Sequence, residues 1–468
     1  MKRSSLWKDM ASITAFMGPI LITQYAQIAN GVVDTLMCGR LDAQALGAVG
    51  LGVAVWVPMQ AFLIGILYSL LVELAQLCGA GKESEVSFTT QQASWLGFVL
   101  ASGMGLLTYF ASSHLTLFGL PQELLPMVEK YLRGLAWGFP FCGLFYSLRF
   151  YCEGQGAPKA VTAISIGAVG CNILLNYGLM FGGLGMPALG LQGCGIATGV
   201  CWVFSFLAVT IYVSVASRFA KNRLFRNFFA PDFGAVVKLF RVGLPIGIAF
   251  LSEYLVMACI ALMIGRLGIV AVASHQITYN FSLVLFTLPV ALSIAISIVV
   301  GQARGAQDAV LERRMVSTGM FMATVIGLVL TVLLLFMATW IPSLYTSDPA
   351  VVHLAGALLT IAAFFQLTDS IQVGLSGALR GIHDTTVPLL LTAASYWGVG
   401  IPLGYVLSEG TELTSGILPQ MGVQGWWIGL IIAISLAGVL LFVRVRRSFW
   451  GEKGVESIET ETLAEESV

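Results

Sequence analysis

The sequence predicts an all-helical membrane protein in which twelve transmembrane helices form two pseudo-symmetric six-helix bundles. Three observations predict this fold class: the composition, the spacing of the charged residues and an internal repeat. Of the 468 residues, 57% are hydrophobic and only 10% are charged, and the mean hydropathy is +0.87. A soluble domain carries about 25% charged residues, so this chain has too few charges to cover a surface in water.

The same composition excludes several classes of function. The 24 Lys and Arg residues balance 24 Asp and Glu residues, so there is no basic excess to bind nucleic acid. The sequence contains neither a Walker-type loop nor a Gly-x-Ser-x-Gly elbow, which are typical of ATP-driven proteins and of hydrolases. We therefore expect no enzyme activity, no ATP and no nucleic-acid partner. Any energy source must be an ion gradient.

Long stretches without Asp, Glu, Lys or Arg mark the membrane spans, because about 20 apolar residues cross a bilayer. The uncharged stretch 160–217 is long enough for two helices and is broken by glycines and a proline at 182–187. The predicted spans are 11–37, 46–75, 93–113, 131–152, 160–182, 192–216, 240–264, 280–302, 316–340, 352–377, 387–408 and 424–443.

The distribution of Lys and Arg predicts that both termini are cytoplasmic. With this orientation, 20 of the 24 basic residues fall at cytoplasmic ends and loops, as the positive-inside rule requires. The four on the opposite side are Arg40, Lys130, Arg133 and Arg266. An even number of spans is therefore expected.

The two halves of the chain resemble each other at an offset of 226 residues. The tripeptide Gly-Arg-Leu at 39–41 recurs at 265–267, and Pro19 corresponds to Pro245. Parallel repeats of this kind suit transport by alternating access, and the alternative is a duplicated scaffold without transport. The expected domains are an N-terminal lobe at 1–217, a basic cytosolic linker at 218–239, a C-terminal lobe at 240–447 and an acidic, disordered cytosolic tail at 448–468.

Four acids lie within or at the ends of the predicted spans, and no Lys or Arg lies near mid-membrane to pair with them. They are Asp34, Glu73, Glu253 and Asp369. A charge at the centre of a membrane helix costs roughly 2.5–3.5 kcal/mol. An unpaired carboxylate there is stabilised by taking up a proton or by binding a cation. Such side chains therefore couple the occupancy of protons, metal ions and cationic substrates.

Each acid also has a structural interpretation. Glu253 and Asp369, near the middle of spans seven and ten, either couple ions or hydrogen-bond to a neighbouring helix as neutral acids. Asp34, towards the outer end of span one, either takes part in exchange or faces the interface. Glu73 lies near the cytoplasmic end of span two, where its side chain can extend to water.

Two asparagines in span five share one helix face, because Asn172 and Asn176 are four residues apart. Amides in a membrane span often hold helices together, which is one interpretation of this pair. The other is that they orient Asp34 across the lobe.

Several stretches together resemble the NorM-type multidrug and toxic compound extrusion (MATE) transporters, and the similarity covers nearly the whole chain except the acidic tail. They are Val-Asp-Thr-Leu-Met-Cys-Gly at 33–39, Asn-x-x-x-Asn-Tyr at 172–177, Gly-Cys-Gly-Ile-Ala-Thr at 193–198, Asp-Ser-Ile-Gln-Val at 369–373 and Leu-Arg-Gly at 379–381. The resemblance implies two six-helix bundles that export cationic, amphipathic compounds in exchange for Na+ or H+. It also implies a bacterial inner (plasma) membrane location.

The resemblance also implies roles for individual residues. By matching position, Glu253 and Asp369 resemble the cation site of the C-terminal lobe, with Na+ as a candidate ion. The residues that resemble the polar cluster of the N-terminal lobe are Asp34, Asn172, Asn176 and Thr198. The expected partners are small organic cations and the lipid bilayer, with no cofactor besides the driving Na+ or H+. The sequence is compatible with a monomer.

Two positions depart from the family pattern. Phe365 stands where many NorM-type members have a tyrosine, one turn before Asp369, and Glu73 replaces a residue that is usually apolar. The rival functions are a flippase for a lipid-linked precursor, a passive channel and a membrane-embedded enzyme. A flippase with anionic cargo needs Arg or Lys at mid-depth, and an enzyme needs a nucleophile with its base. The sequence contains neither arrangement.

Overall fold

The computed structural model describes residues 3–114, 123–222, 224–409 and 420–451. All regular secondary structure in these residues is helical, because a helix satisfies every backbone hydrogen bond within its own segment. The α-helices are α1 (Arg3–Leu41), α2 (Ala43–Gly79), α3 (Glu83–Ala111), α4 (Leu125–Ala136), α5 (Phe139–Gly154), α6 (Pro158–Phe181), α7 (Leu191–Val215), α8 (Phe233–Gly265), α9 (Ile269–Gly305), α10 (Ala309–Met337), α11 (Trp340–Tyr345), α12 (Pro349–Gly381), α13 (Thr386–Ser395), α14 (Ile401–Glu409) and α15 (Val423–Trp450).

The helices account for the twelve predicted spans. Ten segments of the described chain are long and apolar enough to cross a membrane: α2, α3, α6 to α10, α12, α15 and the pair α13–α14. The 39-residue α1 and the pair α4–α5 supply the other two. The predicted break between spans five and six is present, because α6 ends at Phe181 and α7 begins at Leu191.

The fourth span, predicted over 131–152, consists of two helices and not of one continuous helix. α4 ends at Ala136 and α5 begins at Phe139. Pro140 is tolerated here because it lies in the first turn of α5, where backbone N–H groups have no partner within the helix. A Cβ added at Gly138 would lie 2.6 Å from the Cα of Gly199 in α7. The break therefore brings two backbones into contact.

The eleventh span is continuous but irregular. α13 and α14 are joined by a π-helical turn at Tyr396–Gly400. Pro402, at the start of α14, has no N–H to donate to the preceding turn, and the helix widens at this point. The predicted span over 387–408 is present as the segment Thr386–Glu409. The hydropathy of this segment does not indicate the π-turn.

The chain forms two compact units, each of which we describe separately. The N-unit is Pro19–Leu251, and the C-unit is Met1–Gly18 with Ser252–Val468. The limits predicted for the two lobes and the linker stay a prediction. From residue 452 onwards, the predicted acidic tail lies outside the described residues.

Close packing of α9 against α12 sets the position of Asp369 in the C-unit. The Ser293 hydroxyl on α9 donates to the Val373 carbonyl on α12 at 2.7 Å, and the Ser297 hydroxyl donates to the Gly377 carbonyl at 2.8 Å. Small residues and hydroxyl groups are typical of tightly packed membrane helices. Asp369 lies one turn before Val373 on the same helix.

Replacement of Gly377 by alanine is expected to destabilise the C-unit. The added Cβ would lie 2.5 Å from the Ser293 hydroxyl and 2.6 Å from its backbone oxygen, so the helices must separate. Overpacking of this kind costs about 1–3 kcal/mol. The measurement is the melting temperature of the purified protein in detergent. Gly103→Ala on α3 is the control, because its Cβ would meet no atom within 4 Å. Equal melting temperatures for the two variants would contradict the tight contact.

Candidate functional site

The C-unit contains an open cavity, to which α8, α9, α12, the π-turn and α15 contribute residues. Both acids that were predicted to bind the driving ion line it, Glu253 from α8 and Asp369 from α12. Most of the other lining residues are apolar or aromatic. The aromatic ones are Tyr254, Tyr279, Phe286, Phe365, Tyr396 and Trp427.

The two carboxylates of this cavity have no cationic partner in contact. In the described part of the chain, neither Glu253 nor Asp369 forms an ion pair with Lys, Arg or His. The Arg380 guanidinium attracts Glu253 through space, and the two carboxylates repel each other. Asp369 is 3% exposed, and its Oδ2 has no hydrogen-bond partner among the described residues. Because uncompensated buried charge is costly, the pair is suited to hold a cation or protons.

Phe365 forms part of the aromatic wall. Its ring lies edge-on to Trp427, with 6.0 Å between ring centroids and 74° between ring planes. The phenyl ring offers no oxygen to an ion. Aromatic faces do attract organic cations through their quadrupoles, so this wall is suited to an amphipathic cation.

The N-unit contains a second polar cluster, built around Asp34 of α1. Its Oδ1 accepts hydrogen bonds from Asn172 at 3.0 Å and from Asn176 at 2.6 Å, both on α6. Its Oδ2 accepts from the Thr198 hydroxyl of α7 at 3.3 Å. The four side chains are all buried. The structure therefore brings together all four residues of the predicted N-terminal cluster, and these three donors to Asp34 are all neutral.

Glu73 has a partner that the sequence analysis did not identify. Its carboxylate accepts from the ammonium of Lys238 on α8 at 2.5 Å. The side chains of Glu73 and Lys238 are 14% and 64% exposed. Glu73 therefore has its countercharge within the protein, unlike Glu253 and Asp369.

A buried ion pair near the C-terminal end of α5 was also missed by the sequence analysis, which counted Arg149 only among the basic residues at cytoplasmic span ends. Arg149 Nε donates to Glu153 Oε1 at 2.7 Å, and the two side chains are 3% and 0% exposed. A second nitrogen of Arg149 donates to Gln24 on α1 at 3.1 Å. The spacing Arg-x-x-x-Glu places both side chains on one helix face, and this signal was available in the sequence.

Comparisons with known proteins place the chain in a family. The sequence model of the MatE family matches residues 19–178 and again 245–406, so the two matches begin at Pro19 and Pro245. The chain is 36% identical over 441 residues to the multidrug resistance protein PmpM of Pseudomonas aeruginosa, covering 94% of this chain and 92% of the relative. It is 37% identical over 441 residues to the multidrug resistance protein MdtK of Yersinia pestis, covering 94% of this chain and 95% of that relative.

Solved structures share the fold at low sequence identity. The eukaryotic MATE transporter AtDTX14 gives a TM-score of 0.86 at 19% identity, over 97% of this chain and 99% of that chain. A MOP superfamily transporter from Pyrococcus furiosus gives a TM-score of 0.84 at 19% identity, over 97% of this chain and 99% of that chain. The reverse polarity of its binding pocket suggests a different function for that protein.

These findings confirm the resemblance and the fold class that the sequence predicts. The ten apolar spans in the described residues support a membrane protein. The two MatE matches and the two relatives support the family. The chain therefore belongs to the MatE family, as a multi-pass membrane transporter with an arrangement of twelve spans and not as an enzyme.

Proposed function

We propose that this protein is a secondary antiporter that exports cationic, amphipathic organic compounds in exchange for Na+ or H+ by alternating access. One observation carries the proposal: Glu253 and Asp369 line one cavity and have no ion-pair partner among the described residues. The names of the relatives, which are multidrug resistance proteins, support the substrate class.

Exchange follows from the charge of the cavity. Two carboxylates in a medium of low dielectric constant cannot both stay charged without a nearby positive charge. When one cation leaves, a proton or another cation must replace it, so that export and ion entry are coupled. An ion gradient supplies the energy, because one pH unit is worth about 1.4 kcal/mol. A membrane potential of about 100 mV adds about 2.3 kcal/mol for each charge.

The aromatic wall supports organic cations as the substrate. Six aromatic residues line the same cavity as the two acids. A hydrophobic cation loses its hydration shell there, but it contacts the faces of aromatic rings. Each such contact attracts the cation by roughly 0.5–2 kcal/mol. Its charge is balanced by the carboxylates.

The N-unit cluster has a different role in this proposal. Asp34 takes part in substrate or proton exchange, and Asn172, Asn176 and Thr198 orient its carboxylate through the hydrogen bonds described above. No cofactor besides the driving ion is required.

We place the protein in a bacterial inner membrane with both termini in the cytoplasm. The relatives come from bacteria, and 20 of the 24 Lys and Arg residues fall on the cytoplasmic side in this orientation. Small organic cations and the bilayer are its partners, and a monomer suffices.

The charge of the cavity argues against a flippase for a lipid-linked precursor. Anionic pyrophosphate cargo needs basic side chains, and no Lys or Arg is among the described lining residues of the cavity. A passive channel is the remaining rival. It would conduct under voltage alone, so electrical recording of planar bilayers separates it from a slow exchanger.

Reconstitution tests the proposal. The full-length protein in proteoliposomes is expected to export a fluorescent organic cation when an inward Na+ or H+ gradient is imposed. It should not do so when ATP is supplied without a gradient. Protein-free liposomes with the same gradients are the control. Absence of gradient-driven export under both conditions, or steady current under voltage alone, would reject antiport.

A further inference from the structure

Side chains of α3 bind the backbone of the segment between α7 and α8. This segment, which we call the connector, consists in the described chain of residues 217–222 and 224–232. The Gln91 amide nitrogen donates to the Leu224 carbonyl at 2.7 Å and to the Asn227 carbonyl at 2.6 Å. The Gln91 oxygen accepts from the Phe229 N–H at 2.8 Å. One side chain of α3 therefore holds three points of the connector.

Two further side chains of α3 extend this contact. The Gln92 amide nitrogen donates to the Ala230 carbonyl at 3.0 Å, and its oxygen accepts from the Asp232 N–H at 2.7 Å. The Trp95 indole nitrogen donates to the Phe229 carbonyl at 3.3 Å. Backbone that is not helical is tolerated at membrane depth only where protein groups satisfy its hydrogen bonds. The connector meets this requirement on the side that contacts α3.

The position of these contacts along α3 sets the depth of the connector. Gln91 and Gln92 come just before the predicted span 93–113, and Trp95 lies just inside it. Tryptophan is enriched where a span meets the membrane surface. The Phe228 ring lies edge-on to Trp95, with 5.9 Å between ring centroids and 80° between ring planes. The connector therefore lies at the level where α3 enters the apolar part of the membrane.

The connector exposes large aromatic side chains among basic ones. Phe225 is 54% exposed and Phe228 is 80% exposed. Lys221 and Arg226 are also exposed, and neither forms an ion pair with an acid of the described chain. The stretch 218–226 contains four basic residues and no acid. Aromatic and basic side chains together are typical of segments that lie in the surface of an anionic membrane.

We propose that the connector binds anionic phospholipids. Lys221 and Arg226 contact the lipid phosphates, and Phe225 and Phe228 insert between the acyl chains. The carboxylate of the nearby Asp232 does not repel these lipids strongly, because it accepts a backbone N–H in the first turn of α8 at 2.7 Å. The proposal goes beyond antiport and is the same for either driving ion. It rests on the cytoplasmic placement of the connector, since the cytoplasmic leaflet carries a negative surface potential.

Site-specific photo-crosslinking of the full-length protein tests the proposal. Benzoylphenylalanine replaces Phe228, and the protein is reconstituted in phosphatidylcholine vesicles with a trace of radioactive phosphatidylglycerol or radioactive phosphatidylcholine. One basic residue at an anionic surface strengthens binding about fivefold. Phosphatidylglycerol should therefore be labelled at least about five times more strongly than phosphatidylcholine. The ratio should fall in about 1 M salt, because the Debye length is then about 3 Å.

Two further proteins complete the test. Lys221→Gln with Arg226→Gln, added to the cross-linking protein, should bring the labelling ratio close to one without changing the melting temperature. Arg218 is left unchanged because it donates to the Gln155 carbonyl at 2.6 Å and so helps to hold the connector. The matched control carries the cross-linker in place of Phe336, which is 82% exposed at the opposite membrane surface in the proposed orientation. It should label both lipids equally.

Three results would overturn the proposal: no labelled lipid at position 228, equal labelling of the two lipids there, or a preference that survives in the double variant. A cross-linked product of twice the chain mass would assign this surface to a contact between two copies, and it would also reject lipid binding. These outcomes are independent of export, which the reconstitution experiment tests separately.

Discussion

Asp369→Asn is expected to reduce gradient-driven export of an organic cation to the level of protein-free liposomes. Asparagine has nearly the same shape as aspartate but carries no charge. It can neither take up a proton nor balance a cation in the cavity that Asp369 shares with Glu253. The measurement is the initial rate of efflux from proteoliposomes with Na+ and H+ gradients imposed separately. Glu253→Gln is expected to give the same loss.

Asp384→Asn is the matched control for this experiment. Asp384 lies just beyond the end of α12, and its carboxylate accepts from Arg444 Nε at 2.7 Å. Because its countercharge is part of the protein, neutralisation there should leave the export rate close to native. If Asp369→Asn and Glu253→Gln both export at the native rate, the assignment of the coupling site is wrong.

Arg149→Met is expected to cause the largest loss of stability among single charge removals. The substitution leaves the carboxylate of Glu153 buried and unpaired, because that side chain is 0% exposed and its partner is gone. Breaking a buried ion pair in this way costs about 3–5 kcal/mol. The measurement is the melting temperature and the folded yield of the full-length protein in detergent. The double variant Arg149→Met with Glu153→Gln should recover most of the loss.

The chain provides a matched pair for comparison. Glu129 and Arg133 on α4 have the same four-residue spacing and also lie 2.7 Å apart, but their side chains are 33% and 40% exposed. An exposed pair contributes only about 0–1 kcal/mol, so Arg133→Met should change the melting temperature little. If Arg133→Met and Arg149→Met lowered the melting temperature equally, burial of the Arg149 pair would not be the cause of the lost stability.

The spacing of the charged residues predicted the number of spans because the bilayer imposes a minimum length of apolar chain. It did not predict how the backbone runs within a span. The break in span four depends on Gly138 meeting Gly199, a contact between residues far apart in sequence. The π-turn at Tyr396–Gly400 changes the hydrogen bonding of the helix without changing its hydropathy. Both features require knowledge of which helices are neighbours.

Of the C-unit cavity, only the two acids could be predicted from the sequence. Acids within an apolar span are conspicuous, so Glu253 and Asp369 were identified from the sequence. The rest of the cavity lining was not identified, because it comes from helices that are far apart in the sequence. The partner of Glu73 was missed for the same reason, since Lys238 is 165 residues away. The Arg149 pair was missed although its spacing is local, because a basic residue near the end of a span resembles a cytoplasmic anchor.

The two copies of the MatE segment have diverged in their chemistry. Around Asp34, Asn172 and Asn176 of the first copy donate hydrogen bonds to the carboxylate, and so does Thr198, which follows that copy in the chain. In the second copy, Asp369 Oδ2 has no hydrogen-bond partner among the described residues. A chain made from the second copy in tandem would therefore lack the hydrogen-bonded carboxylate of Asp34. Replacement of one copy by the other would thus change how the buried aspartate of that half is held, so we expect the two halves not to be interchangeable.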